Sequence, residues 1–388
     1  MNNQYTTRTW AEIDLNALAH NLQNIRNITA PGAKVMCVIK ADAYGHGFYQ
    51  VAKTLQENGA DAFAVATFEE AKLLRERGFT QTILVLGFVD KMFAKEMIAL
   101  DITATVFDQA QAKAISDSAT ELGRQARIHI KLDTGMSRIG FDCSDESAEK
   151  IAKICSLPNI CAEGIFSHLS CADEEDTTMS EKQFANFKWM LDNLKARGVS
   201  FEYAHICNSA GIMEYPEYHM DMVRAGIVLY GCYPSDEVHK SRLPLIPAMT
   251  IKARITRIEE KPAGTPVSYG ATYKTTKKTK IATVSIGYAD GYLRTLSGKA
   301  YMSVSGVKVP VVGRICMDQC MIDVSAVNTI TVGDEVIVFG NGGENSETAT
   351  SLAQCAGTIN YEILCAVGNR TPRIYVQDGK MIDVLTYL

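Results

Sequence analysis

Short β-branched runs alternate with amphipathic helical stretches eight times between residues 34 and 223 of this 388-residue chain, a rhythm that few folds accommodate. The runs fall at 34–39, 62–66, 82–86, 103–107, 127–132, 162–167, 202–206 and 220–223, with helical patterns such as 69–77, 109–122 and 181–196 between them. Near-continuous apolar strands of this kind are buried on both faces, and eight of them predict an α/β fold, a closed (β/α)8 barrel of the TIM type. After about Ile246 the helical rhythm stops. Alternating strands at 250–255, 280–286, 300–304, 307–312, 321–324 and 335–339, separated by glycine turns, predict a C-terminal, mainly antiparallel β-domain. Helical pieces at 347–356 and around Tyr361 are expected to return toward the first domain. A chain too long for one core thus divides into a barrel over 12–245 and a β-domain over 246–388.

Composition narrows the function. A formal charge of -5, with acidic and basic residues interspersed, provides no basic stripe or tail, so neither nucleic acid nor a membrane surface is an expected partner. A small-molecule substrate is. No window has transmembrane length, and residues 1–10 lack the apolar core of an export signal. Eleven cysteines stand singly between Cys37 and Cys365 with no C-x-x-C pair, which points to reduced thiols and a cytoplasmic protein. Cys316 and Cys320 have no second pair or neighbouring histidine, so they read as strand-buried thiols, and no metal is expected.

Lys40 closes the first apolar run and is followed by the small-residue stretch Ala41-Asp42-Ala43-Tyr44-Gly45-His46-Gly47, read as a glycine-rich turn. A desolvated lysine at a barrel mouth loses its proton readily, and the free amine can form a Schiff base with a carbonyl cofactor. Other reactive residue types fall at the C-terminal ends of the runs, where barrels of this type carry their active sites. Lys131 and Asp133 end the fifth, His168 the sixth and His205 the seventh, while Arg224 lies on the eighth. The loops after the seventh and eighth runs supply Asn208-Ser209 and Gly226-Ile227, where such barrels commonly bind phosphate.

Taken together, these motifs make the chain resemble the alanine racemases, fold-type III pyridoxal phosphate enzymes. Carrying the resemblance are Ala11-Glu12-Ile13-Asp14-Leu15, the Lys40 segment, Lys131-Leu132-Asp133-Thr134-Gly135-Met136-Ser137-Arg138, Ser167-His168, the segment 205–209, Ser268-Tyr269-Gly270, Gly287-Tyr288-Ala289-Asp290-Gly291 and the segment 313–318. The chain departs from the usual pattern at Ser137 and Ile139, where glycine and leucine are commoner.

The resemblance implies a homodimer whose active sites are shared between subunits, with residues 1–11 joining the β-domain. It implies interconversion of L- and D-alanine, supplying D-alanine for cell-wall peptidoglycan. Lys40 would hold pyridoxal 5'-phosphate and act as the base on one face of the substrate, and Tyr269 of the partner subunit would act on the other. Two unlike bases suit a racemase, because a planar carbanion must be protonated from opposite sides. Arg138 and His168 would favour the Tyr269 phenolate. Arg224 would face the pyridine nitrogen, its permanent charge opposing protonation there, and His205 would orient it. Tyr44, Ser209, Gly226, Ile227 and Tyr361 match phosphate-site positions, and Lys131 matches a lysine carbamylated in many members. Met317, Asp318 and Tyr288 match residues that restrict the substrate pocket. Size exclusion of this kind discriminates by only about 1–3 kcal/mol, so a serine or broad-specificity racemase stays open. A non-catalytic cofactor carrier would lack a Tyr269 counterpart. A decarboxylase would place an acid where Arg224 stands.

Overall fold

Strands that are apolar on both faces have no stable position except between layers of helix. In the computed structural model, which describes residues 4–387, that is where they lie. After β1 (Thr9–Asp14) come β2 (Lys34–Val38), β3 (Ala62–Val65), β4 (Thr82–Val85), β5 (Thr103–Val106), β6 (Ala126–Lys131), β7 (Ile160–Phe166), β8 (Tyr203–His205) and β9 (Met222–Ala225). The last eight are parallel, in spatial order 8-7-6-5-4-3-2-9. The ends of this sheet meet, since Asp221 N–H donates to the Ala204 carbonyl at 3.2 Å and Arg224 N–H to that of Cys207 at 3.0 Å. The expected barrel is present. Its eighth strand starts two residues later than the sequence suggests: Met220 has φ +50, outside the strand region, and the Asp221 carboxylate accepts from Ala204 N–H at 2.8 Å.

The second domain contains β10 (Met249–Lys261), β11 (Pro266–Val267), β12 (Tyr273–Lys274), β13 (Thr279–Val284), β14 (Tyr301–Val304), β15 (Val307–Val312), β16 (Cys320–Asp323), β17 (Glu335–Phe339), β18 (Arg373–Gln377) and β19 (Lys380–Leu385). Nine strands form one sheet, in order 13-16-15-14-17-10-1-18-19. β10 extends well past the expected 250–255 because a register shift at Ile255–Arg257 bends it, so that it pairs with β1 and β17 at one end and β13 at the other. β1 is antiparallel to β10 and parallel to β18, a pairing the sequence reading did not anticipate. It also runs to Asp14, whose carboxylate caps helix Leu15–Ile28 by accepting from Ala17 N–H at 3.1 Å. The chain therefore enters the barrel after Asp14 rather than between residues 11 and 12.

Between β2 and helix Phe48–Glu57 the chain does something unusual. Ala41, Asp42, Ala43 and Tyr44 all hold φ of 52–54° and ψ of 42–51°, one turn of left-handed helix in which none of the four is glycine. Each such residue costs roughly 1–2 kcal/mol, so the turn needs external support. Glu70, from the capping box of helix Phe68–Glu76, accepts from Ala41 N–H at 2.6 Å and Ala66 N–H at 2.7 Å. Asp42 accepts from Phe48 N–H at 2.8 Å. From β18, Arg373 Nε donates to the Gly45 carbonyl at 3.0 Å and Tyr375 Oη to that of His46 at 3.1 Å. The His46 ring is fully buried, its Nδ1 lying 3.0 Å from the carbonyls of Ala43 and Tyr44 and its Nε2 having no partner.

Gly45 has φ +78, and a Cβ there would lie 2.5 Å from the Leu364 carbonyl oxygen. Gly45→Ala should therefore lower the unfolding free energy by at least about 2 kcal/mol, whereas Gly59→Ala, with φ +92 but open space around it, should cost about 1 kcal/mol. Equal losses in urea unfolding would show that the Leu364 contact does not matter. Burial holds the His46 pKa down to about 4. The unfolded ring titrates near 6.5, so below that pH the unfolded chain binds a proton that the folded one refuses. Stability should be complete above pH 6.5 and fall by up to about 3 kcal/mol on the way to pH 4, a component that urea melts of His46→Asn should lack.

Candidate active site

A cavity of about 630 Å³ opens at the C-terminal mouth of the barrel, and ten of the residues singled out in the sequence line it. Lys40 opens the left-handed turn and Tyr44 closes its strained run. Lys131 is the last residue of β6, Arg138 follows on the next loop, and His168 lies just past β7. Ser209 begins helix Ser209–Glu214, Arg224 lies in β9 with Gly226 and Ile227 after it, and Tyr361 comes from helix Asn360–Cys365 of the second domain. A second cavity of about 640 Å³ lies beside helix Ala349–Ala356. Two of its charged groups, Lys240 and Asp236, pair with each other at 2.7 Å, whereas among the described residues Lys40, Lys131, Arg138 and Arg224 of the first cavity have no carboxylate at ion-pair distance.

Arg224 is the electrostatic centre. Its guanidinium donates to the Ser167 and Ile206 carbonyls at 2.7 and 3.1 Å, contacts His205 Nδ1 at 2.8 Å and His168 Nδ1 at 3.2 Å, and touches no carboxylate. Burial pulls its pKa down to about 10. Because a guanidinium only donates, both histidines must accept, and both are neutral: burial first, then the Arg224 charge, hold His168 and His205 well below the usual histidine value. The expectation that His168 contributes positive charge is thus corrected, and Arg138 is left as the cation available for that purpose. His205 meets Arg224 as the orienting reading requires, but it is not placed to touch a cofactor directly. It is fully buried, stacked on Phe166 at 4.9 Å, and lies beneath Arg224 without lining the cavity.

Both lysines are poised to lose a proton. Burial, with help from Arg138, lowers the Lys40 pKa, and burial together with Arg224 brings Lys131 down to about 7. The Arg138 loop is organised by Asp133, whose carboxylate accepts from the N–H groups of Gly135, Ser137 and Arg138 at 2.9–3.0 Å. Ser137 holds φ +56, the conformation for which glycine is the commoner choice.

At the opposite wall the polar groups are neutral. Gly226 N–H donates to Ser209 Oγ at 3.0 Å, and a Cβ on Gly226 would lie 3.2 Å from Tyr44 Oη and 3.4 Å from Ser209 Oγ. Two hydroxyls and bare backbone therefore converge where a side chain is missing. Burial raises the pKa of Tyr44 and Tyr361 and keeps both hydroxyls protonated as donors. Such a cradle suits an anion held by neutral hydrogen bonds.

Tyr269, Tyr288, Met317 and Asp318 are not in this cavity. They share one surface of the β-domain instead, with Tyr269 68% exposed. Ser268 Oγ donates to the Arg314 carbonyl at 2.5 Å, while Tyr288 and Ala289 N–H donate to the Cys316 and Met317 carbonyls at 3.1 and 3.0 Å. Buried Asp290 pairs with Arg8 at 2.6 Å and Arg370 at 2.8 Å, and Arg370 reaches Asp318 at 2.6 Å. These ion pairs brace the loops that carry the exposed residues. The sequence reading missed Glu70, Phe166 and Cys365 around the site. It also missed His129, although the alternation Arg127-Ile128-His129-Ile130-Lys131 puts three basic groups on one face of β6.

Comparison with known proteins agrees with this architecture. Residues 13–234 match the family model described as alanine racemase, N-terminal domain, and residues 248–375 the one described as alanine racemase, C-terminal domain. The alanine racemase of Clostridium perfringens is 46% identical over 379 residues, 98% of each chain. The solved alanine racemase of Clostridium difficile 630 superposes with a TM-score of 0.95 at 44% identity, covering 99% of this chain and 100% of that one. That of Bacillus anthracis with bound L-Ala-P gives 0.92 at 35% identity over 99% of both. In sequence, domain order and fold, the chain belongs to the alanine racemase family.

Proposed function

We propose that this chain interconverts L- and D-alanine with pyridoxal 5'-phosphate as a homodimer, providing D-alanine for cell-wall peptidoglycan in the cytoplasm. The carrying observation is an amine of lowered pKa, Lys40, in a cavity with a buried arginine that has no carboxylate beside it. Among the described residues no helix is long and apolar enough to cross a membrane. The barrel, entered after Asp14 and running to about residue 245, is read as the cofactor-holding domain, and 246–388, with the initial strand Thr9–Asp14, as the one that completes a neighbour's site.

The residues present fit the cofactor. Tyr44, Ser209, Tyr361 and the backbone at Gly226 and Ile227 would hold the phosphate, and Arg224 would face the pyridine nitrogen. Pyridoxal phosphate, when bound, supplies an aldehyde for Lys40 and a ring that delocalises charge at the substrate α-carbon. Arg224 cannot give up its proton to that ring, which restrains electron withdrawal and favours simple proton movement over bond cleavage. Lys40 Nζ, whose pKa burial lowers, would take or return the α-proton on one face. Tyr269 of a second copy does so on the other, an assignment supported by its exposure on a surface away from its own cavity. Arg138 would stabilise the Tyr269 phenolate and orient the substrate carboxylate. Met317, Asp318 and Tyr288 of that second copy would narrow the pocket to a small side chain.

Lys131 carries an amine near pKa 7 between Arg138 and Arg224. After the ammonium has lost one proton, the neutral amine can add to carbon dioxide, forming an N–C bond and releasing a second proton, so that a cation becomes a carbamate anion beside two arginines. That sign reversal would anchor Arg138.

Holoenzyme incubated in deuterium oxide with L-alanine or L-serine should yield α-deuterated D-alanine and little D-serine by chiral chromatography. Comparable yields would favour a broad-specificity racemase, and no exchange would leave only cofactor carriage. In the same assay Tyr269→Phe should keep its cofactor but lose racemisation by about 10²–10⁴-fold, and Lys40→Ala should lose covalent attachment. Persistent racemisation in Tyr269→Phe would sink the two-base scheme. Carbon-13 NMR with labelled bicarbonate should show one carbamate carbon that Lys131→Gln lacks, and its absence would remove the carbamate from the account.

A further inference from the structure

The cation at the centre of the site is tied to a carboxylate at the other end of the barrel. Beneath Arg224, His205 Nε2 lies 2.9 Å from His129 Nδ1, and His129 Nε2 lies 3.4 Å from Glu163 Oε1, an ion-pair distance rather than a short hydrogen bond. Glu163 accepts from Thr103 Oγ1 at 3.1 Å and pairs with Arg127 at 2.8 Å. Both His129 and Glu163 are buried.

Two features indicate that this arrangement is built. The β6–β7 register shifts between Ile128 and His129, pairing Ile128 with Ala162 and His129 with Gly164, so Glu163 is the extra residue of a bulge aimed beneath the histidine. Next to it, a Cβ on Gly164 would lie 2.5 Å from His129 Nδ1, so the missing side chain makes room for the ring.

Arginine leaves only one way to place the protons. Since Arg224 can only donate, His205 Nδ1 accepts; neutral His205 then carries its hydrogen on Nε2, so His129 Nδ1 accepts, and the His129 hydrogen lies on Nε2, a buried atom that makes no hydrogen bond and has the Glu163 carboxylate 3.4 Å away. Burial works against ionised Glu163, but its carboxyl is held below its ordinary value, the Arg127 guanidinium contributing. We propose that His129 and Glu163 are positioning residues for the reaction, holding His205 in one tautomer and through it fixing Arg224 as a cation facing the site. The proposal rests on the reading of Arg224 as the group opposite the pyridine nitrogen.

The test uses nitrogen-15 histidine-labelled holoenzyme together with Glu163→Gln, His129→Phe and Arg224→Lys. Side-chain NMR should show His205 and His129 both neutral and protonated on Nε2 alone. Glu163→Gln and His129→Phe should each lower kcat in both directions about tenfold, as outer partners of an active group do, while KM for alanine stays within about twofold. The absorption of the bound cofactor should shift in the same direction as in Arg224→Lys. A hydrogen on Nδ1 or a charged ring at either histidine would overturn the proposal. So would folded variants that keep both kcat and spectrum. If Glu163→Gln does not fold, His129→Phe and the tautomers in the unaltered enzyme decide. An unchanged spectrum in Arg224→Lys would overturn the reading of Arg224 itself, and is told apart because the tautomers would still be those expected.

Discussion

The left-handed turn after β2 is the constraint on which the site depends. Four consecutive residues in that conformation cost on the order of 4–8 kcal/mol, comparable with the whole net stability of many domains. What offsets the cost comes from both domains: Glu70 from the barrel, and Arg373 and Tyr375 from β18. Arg373 is fully buried and donates to four carbonyls, those of Gly45, Val367, Gly368 and Thr371. The turn brings Lys40 and Tyr44, four residues apart, to the same cavity.

A second constraint is charge. Lys40, Lys131, Arg138 and Arg224 line one cavity, and no carboxylate touches Arg224. Mutual repulsion and desolvation are relieved through the two lysines, whose amines are pushed toward neutrality, and through histidines that stay uncharged. The arginines keep their charge because guanidinium holds its proton far more tightly. Acid–base capacity and fixed positive charge are thereby separated between residue types.

Much of the barrel is legible in the sequence because burial on both faces forces apolar strands, and strand ends differ from expectation by only a residue or two. The cavity-lining residues are legible for a related reason, since topology sends every βα loop to one rim and a reactive type at a run's end must go there. The hand of the Lys40 turn is not legible. Alanine, aspartate and tyrosine prefer the right-handed helix, and the bonds that support the turn come from Glu70 in the barrel and from Arg373 and Tyr375 more than three hundred positions away. Strands β18 and β19 were invisible for a similar reason: β18 is placed by pairing with β1, more than three hundred and fifty positions earlier in the chain, and β19 by pairing with β18. His129 gave a faint signal in its alternation with Lys131, but its partner depends on a bulge that no periodicity predicts.

The order of the strands in the second sheet has a consequence for synthesis. β1, which precedes the barrel strands in the chain, is flanked by β10 and β18, so its place in the sheet stays open until Arg373–Gln377 has been made. A nascent chain can assemble every barrel strand while still lacking Arg373 and Tyr375, and without them the strained turn bearing Lys40 loses its support from the second domain. Support for the turn is therefore completed only after β18 has been made, long after the last barrel strand.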